Sequence, residues 1–151
     1  MGIVSFKELL DRALEFEKQL ENYYAEIRDT TQNEGVRLLT YYLSRHRRRL
    51  QQAIDQVHKN TIEHLFTIKF KYDVEFAPEK DFHPLNTSIL EIQGRELLEA
   101  AVNYDLQLIE LYKTILEQPM NSEASTFVDS LIGMEEKDVV MLKKMIAMNY
   151  F

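Results

Sequence analysis

Two acidic residues stand inside otherwise apolar helical stripes, each seven residues before a tyrosine. Glu17 precedes Tyr24 in the first half of the chain, and Asp105 precedes Tyr112 in the second half. A carboxylate at a core-facing position is costly unless it is paired with a cation or bound to a metal. We therefore expect the two carboxylates to share one interior site, to which both tyrosines can donate hydrogen bonds.

The two halves of the chain repeat each other at an offset of 88 residues without a gap, which places Glu17 on Asp105. Apolar positions agree at the same offset, in the pairs Leu10 and Leu98, Ala13 and Ala101, Leu14 and Val102, Leu20 and Leu108, Ile27 and Ile115, Leu39 and Phe127, Leu43 and Leu131, and Ile54 and Leu142. Any two amphipathic helices agree in apolar period, so the acidic match is the more informative one.

Helical periodicity predicts four long helices around these residues. The capping-box sequences that begin at Ser5 and Ser88 predict the starts of the first and third helices. The second helix is predicted to run to about residue 57, and the fourth, after Pro119, almost to the C-terminus. We predict one all-α domain, an up-down-down-up four-helix bundle of two similar hairpins at about 5–58 and 88–148. The long crossover at about 59–87 includes TIKFKYDVEF, where a short strand or helical turn is expected.

Composition excludes several classes of function. The 151 residues include 18 Lys and Arg against 25 Asp and Glu, a net charge of −7, and no cysteine. Without cysteine there is no disulfide scaffold, thiolate metal site or cysteine nucleophile, and a cytoplasmic location is expected. No apolar run is long enough to span a membrane, and so acidic a chain is not expected to bind nucleic acid. The basic run at 45–49 is interpreted as a solvated face formed by Arg45, Arg48 and Arg49.

At the acidic positions the chain resembles the ferritin-like superfamily, most closely its rubrerythrin-like branch. In LEFEKQLENYYAEI, Glu17 stands where the family has its first-helix Glu, and in AVNYDLQLIELYKTI, Asp105 takes the third-helix place. In LIGMEEKDVVML, Glu135 matches the fourth-helix Glu, whereas Asp138 stands where the family has His. The resemblance covers about 11–57 and 99–145 and implies a four-helix bundle with a di-iron site at its centre.

The second helix departs from this family pattern. In YLSRHRRRLQQAI, Arg47 stands at the position of the bridging Glu and Leu50 at the position of the His. The internal repeat gives the same assignment, because positions 47 and 50 align with Glu135 and Asp138. An ordinary di-iron centre is therefore not expected. We predict instead that Arg47 points inward as a substitute for the metal, because a guanidinium keeps its charge and can grip carboxylates.

Charge balance leaves the metal question open at this stage. Two unit charges 5 Å apart repel by about 3 kcal/mol at an effective dielectric near 20. One guanidinium cannot balance the four carboxylates Glu17, Asp105, Glu135 and Asp138. Three alternatives remain open: some carboxyls stay protonated, the shorter aspartate side chains lie away from the other carboxylates, or a metal still binds. The first expectation is no cofactor, and the alternative is a single Fe, Mn or other divalent ion in an all-oxygen site.

Two functions follow from these residues. The first is a non-catalytic ferritin-like bundle with a degenerate di-iron site that serves as an interaction or regulatory module. Its partner is expected to be a second copy, in a homodimer, or an unidentified protein. The alternative is a metalloprotein with a reduced carboxylate site that performs oxidoreductase, peroxide or iron-binding chemistry. Candidate aromatic residues for a dimer surface are Tyr41, Tyr42, Tyr150 and Phe151, and His46, His58 and His64 are not expected to bind metal.

Overall fold

The computed structural model describes residues 3–45, 47–71 and 73–149, apart from the side chain of Arg47, and is mostly helical. The first helix, α1, spans Phe6–Thr30. Its N-cap is Ser5, whose hydroxyl oxygen accepts a hydrogen bond from the backbone N–H of Glu8 at 3.0 Å. The predicted start of the first helix is therefore confirmed, and for the reason expected, because the serine satisfies an otherwise unpaired backbone donor.

The predicted second helix is two helices, α2 at Glu34–Ser44 and α3 at Arg47–Gln56. Asn33 caps α2 by accepting a hydrogen bond from the backbone N–H of Val36 at 3.1 Å. The prediction of one continuous helix is wrong at Arg45, where the backbone forms a turn. The break falls at the start of the arginine run, where like charges three and four residues apart disfavour a continuous helix.

The crossover contains more regular structure than its sequence suggested. It holds α4 at Lys59–Phe66 and α5 at Pro78–Asp81. The expectation of a short strand is confirmed, because β2 at Lys69–Phe70 pairs antiparallel with β1 at Val4–Ser5. This pairing ties the crossover to the start of α1.

The third long helix starts later than its sequence predicted. Ser88 precedes only a 3-10 turn at Ile89–Glu91 and makes no side-chain capping bond there. The helix itself, α6, spans Gly94–Leu116. Between the two, Ile92 has extended backbone and is almost fully buried, so burial of this side chain overrides the local capping signal. The prediction of a helix start at Ser88 is therefore wrong.

The last helix, α7, spans Ser122–Ala147 and is capped by Asn121, which accepts a hydrogen bond from the backbone N–H of Ala124. The main packing is between α6 and α7 and between α1 and α2. Smaller contacts join α2 to α6 and place α3 between α1 and α7. One apolar core lies between these helices. Within the described ranges, no helix is both long and apolar enough to cross a membrane.

Candidate interior carboxylate site

The four carboxylates singled out in the sequence are all buried. Their residues are 0–4% exposed, from α1 (Glu17), α6 (Asp105) and α7 (Glu135 and Asp138). Among the described residues they are the acidic side chains that reach this degree of burial. Each carboxylate lies on the apolar face of its helix. When the leucines and isoleucines of that face pack into the core, the carboxylate is buried with them.

Tyr24 of α1 lies among these carboxylates and is itself buried. Desolvation raises its pKa most, because the phenolate would lose its hydration in the core. The neighbouring groups that raise this pKa further are Asp105, Tyr104, Asp138 and Glu17. Helices α1, α6 and α7 therefore bring three of the four carboxylates within electrostatic range of a single phenol.

Tyr112 of α6 occupies the equivalent place in the second half and is fully buried. Its pKa is raised first by desolvation and then by the negative charges of Glu135, Glu17 and Asp105. Its hydroxyl has no hydrogen-bond partner within the described part of the chain. The expectation that Tyr112 donates a hydrogen bond to the carboxylates is therefore wrong, although electrostatic coupling places it beside them.

The face of α3 toward the core contributes an apolar side chain and a cation. Leu50, at the position where the resemblance implies a His ligand, is 0% exposed. Arg49 donates a hydrogen bond from Nη1 to Oδ1 of Asp138 at 3.2 Å, with its own side chain 35% exposed and that of Asp138 4% exposed. The interpretation of Arg49 as a solvated residue is wrong, whereas Arg45 and Arg48 are exposed as predicted.

The substitute cation predicted from the sequence was Arg47, whose side chain lies outside the described residues. Its inward orientation stays a prediction. The cation that the described residues place on an interior carboxylate is Arg49, two positions further along the chain. Arg49 directly precedes the buried Leu50, and an arginine at the edge of a buried helix face is long enough to reach an interior carboxylate. This position next to Leu50 is the sequence feature that could have identified Arg49.

The residues present do not fit the di-iron centre that the resemblance implies. The resemblance implies two His ligands. Buried Leu50 stands at one of these two positions, and Asp138, at the other, forms an ion pair with Arg49. Among the described residues, no group of three or more His, Asp or Glu side chains is arranged to hold a metal ion. The chemistry of the site is therefore derived from its own side chains.

Two grooves flank α3, and each reaches one of the buried carboxylates. A groove of about 590 Å³ between α1 and α3 is lined by Glu17 together with Asp11 and Arg48. A groove of about 620 Å³ on the other side, toward α7, is lined by Asp138 and Arg49. Glu17 and Asp138 therefore border different grooves, one on each side of α3.

Two other residues considered in the sequence make contacts of their own. Tyr41 is half exposed, and the guanidinium of Arg28 lies 4.4 Å from the centre of its ring. His58 caps α4 by accepting a hydrogen bond from the backbone N–H of Asn60 at its Nδ1. Three further candidates, His46, Tyr150 and Phe151, lie outside the described residues.

No family model, no curated protein and no solved structure matches the chain. The contacts of the interior residues are therefore the basis on which a function is assigned.

Proposed function

We propose that the chain is a non-catalytic ferritin-like bundle whose interior carboxylates are held by arginine rather than by metal. In this role it acts as an interaction or regulatory module, as a homodimer or with another protein, in the cytoplasm. The observation that carries the proposal is the ion pair between Arg49 and Asp138, one of the four buried carboxylates. The absence of cysteine supports the location.

The ion pair accounts for a buried carboxylate without a metal. At the 3.2 Å separation of Arg49 Nη1 and Asp138 Oδ1, two unit charges attract by about 5 kcal/mol at an effective dielectric near 20. A guanidinium carries a full positive charge and several hydrogen-bond donors, so it can compensate a buried carboxylate. A divalent ion bound at the same carboxylate would have to displace Arg49 or approach its positive charge closely.

Arg47 supplies the second positive charge in this proposal. It stands one turn before Leu50 in α3, and residues three apart in a helix share a face. Leu50 is fully buried, so this face of α3 is the one toward the core. Two arginines against four buried carboxylates still leave an excess of negative charge.

The second candidate function is a metalloprotein with one Fe, Mn or other divalent ion in an all-oxygen site. It is favoured by one observation, the burial of four carboxylates at 0–4% exposure around the same two tyrosines. Carboxylate oxygens are ligands that suit Mn, Mg and Ca. This site would perform oxidoreductase, peroxide or iron-binding chemistry.

Oxygen consumption and peroxide turnover with added ferrous iron separate the two functions. We expect the protein to add nothing to the rate that the same iron shows in buffer. The two comparison variants are Glu135→Gln, which alters an interior carboxylate, and Glu136→Gln, which alters the exposed neighbour on the same helix. Saturable turnover that Glu135→Gln abolishes and Glu136→Gln leaves intact would contradict the non-catalytic proposal and establish the metalloprotein.

A further inference from the structure

The groove between α3 and α7 has two walls of different origin. Helix α7 supplies about three turns of one wall, from Ser130 to Met141. Tyr42 of α2 and Arg49 of α3 supply the opposite wall, from either side of the break between these helices. The resulting volume of about 620 Å³ lies in the range of small-molecule binding sites.

Among the described residues, the charged lining of this groove is net positive, although the chain as a whole is acidic. Arg49 and Lys137 are cations and Asp138 is an anion, so the lining carries 2 − 1 = +1. Within the described part of the chain, Arg49 makes one hydrogen bond, from Nη1, although a guanidinium has five N–H donors. The remaining donors of Arg49 and the Lys137 ammonium line the same groove, where they can bind an anionic group.

Apart from the hydroxyl groups of Tyr42 and Ser130, the uncharged lining given by the described residues is apolar and has room for a hydrocarbon chain. Met134 and Met141 lie one turn to either side of the charged residues on α7. Methionine is a flexible apolar side chain that adapts to irregular ligands. At Gly133, an added Cβ would meet nothing within 4 Å, so the wall is open at this point.

We propose that this groove binds a small amphiphilic carboxylate. The carboxylate accepts hydrogen bonds from Arg49 and Lys137, and the apolar chain lies on Met134 and extends past Gly133. The inference rests on the proposed function in one respect, because Arg49 must stay at Asp138 rather than be displaced from it by a metal. Ligand binding and metal binding are measured separately, so the failure of one is distinguishable from the failure of the other.

Calorimetric titration of the whole chain with decanoate, below the concentration at which it forms micelles, tests the proposal. We expect saturable binding of one decanoate per chain, and weaker binding of decanol, which lacks the charge. Lys137→Gln should weaken decanoate binding at least about fivefold, as expected for loss of a charged hydrogen-bond donor. The matched control is Lys143→Gln, an exposed lysine of the same helix outside the groove, which should leave the affinity unchanged.

Gly133→Leu provides a second test that does not alter any charge. Its side chain would extend into the open groove, so the fold is retained while the space for the apolar chain is lost. We expect no measurable decanoate binding, with the unfolding midpoint at or above that of the unaltered protein. The proposal is overturned if decanoate does not bind saturably, if decanol binds as tightly, or if neither Lys137→Gln nor Gly133→Leu weakens the binding.

Discussion

Removing the guanidinium of Arg49 should destabilise the fold much more than removing an ordinary surface charge. The change is Arg49→Met, which keeps an apolar stem of similar length, combined in a double-mutant cycle with Asp138→Asn, which keeps the shape of the acid. The cycle isolates the interaction between the two charges from the other contacts that each side chain makes.

The expected magnitude follows from the geometry of the pair. At 3.2 Å the Coulomb attraction is about 5 kcal/mol at an effective dielectric of 20 and about 1 kcal/mol in bulk water. Asp138 is 4% exposed, which favours the larger figure, but Arg49 is 35% exposed, so solvent screens part of the attraction. We therefore expect a coupling free energy of about 2 kcal/mol, in the range of hydrogen bonds to charged groups.

Urea unfolding followed by circular dichroism at pH 7 measures this coupling. The control is the pair Lys7–Asp11, with a similar contact distance of 2.8 Å but both side chains more than half exposed. Its coupling should stay below about 0.5 kcal/mol and decline with added salt. A coupling for Arg49 and Asp138 no larger than that of the control pair would refute the interior role of the arginine.

Three further changes test the packing and electrostatics. Gly133→Ala should raise the free energy of unfolding, measured by urea titration, by up to about 1 kcal/mol. The new Cβ meets nothing within 4 Å, and glycine is a poor helix former. A loss of stability would contradict this prediction. Tyr112→Phe should be neutral or stabilising by up to about 1 kcal/mol, because the Tyr112 hydroxyl has no hydrogen-bond partner within the described residues. Tyr104→Phe should cost about 1 kcal/mol, because the Tyr104 hydroxyl donates a 2.6 Å hydrogen bond to a backbone carbonyl. Equal effects of the two changes in thermal unfolding would contradict this difference in hydrogen bonding. The hydrogen bond from Arg12 lowers the pKa of Asp73 below 3.8, so its stabilising contribution is present above that pH and is lost as the pH falls through the folded-state pKa. The stability difference between the unaltered protein and Asp73→Asn should therefore shrink as the pH falls, and a difference that does not change with pH in the acid range would exclude this origin.

The helices themselves were largely predictable from apolar period and capping residues. Ser5 starts α1 because its hydroxyl meets a backbone donor in the first turn, an interaction local enough to be visible in the sequence. Ser88 has the same local pattern, yet α6 starts at Gly94 because burial of Ile92 requires extended backbone before the helix. Tertiary packing decides such cases, and one sequence does not display it.

The burial of the acidic residues was predictable from the sequence, whereas the contact of Arg49 with Asp138 was not. Glu17 and Asp105 were identifiable because an acid within an apolar stripe must be buried with it. The role of Arg49 was not identifiable, because the break after Ser44 separates α3 from α2 and an arginine beside a buried residue can turn toward either side. The groove between α3 and α7 is lined by residues on both sides of the same break, so it could not be predicted from the sequence either.

The most direct test of the central claim is elemental analysis of the protein purified without chelator and without added metal. If arginines compensate the interior carboxylates, transition metals should co-elute with the chain at far below one equivalent. One or two equivalents of iron or manganese that persist through gel filtration, and that Glu17→Gln removes, would show that the carboxylates hold metal instead.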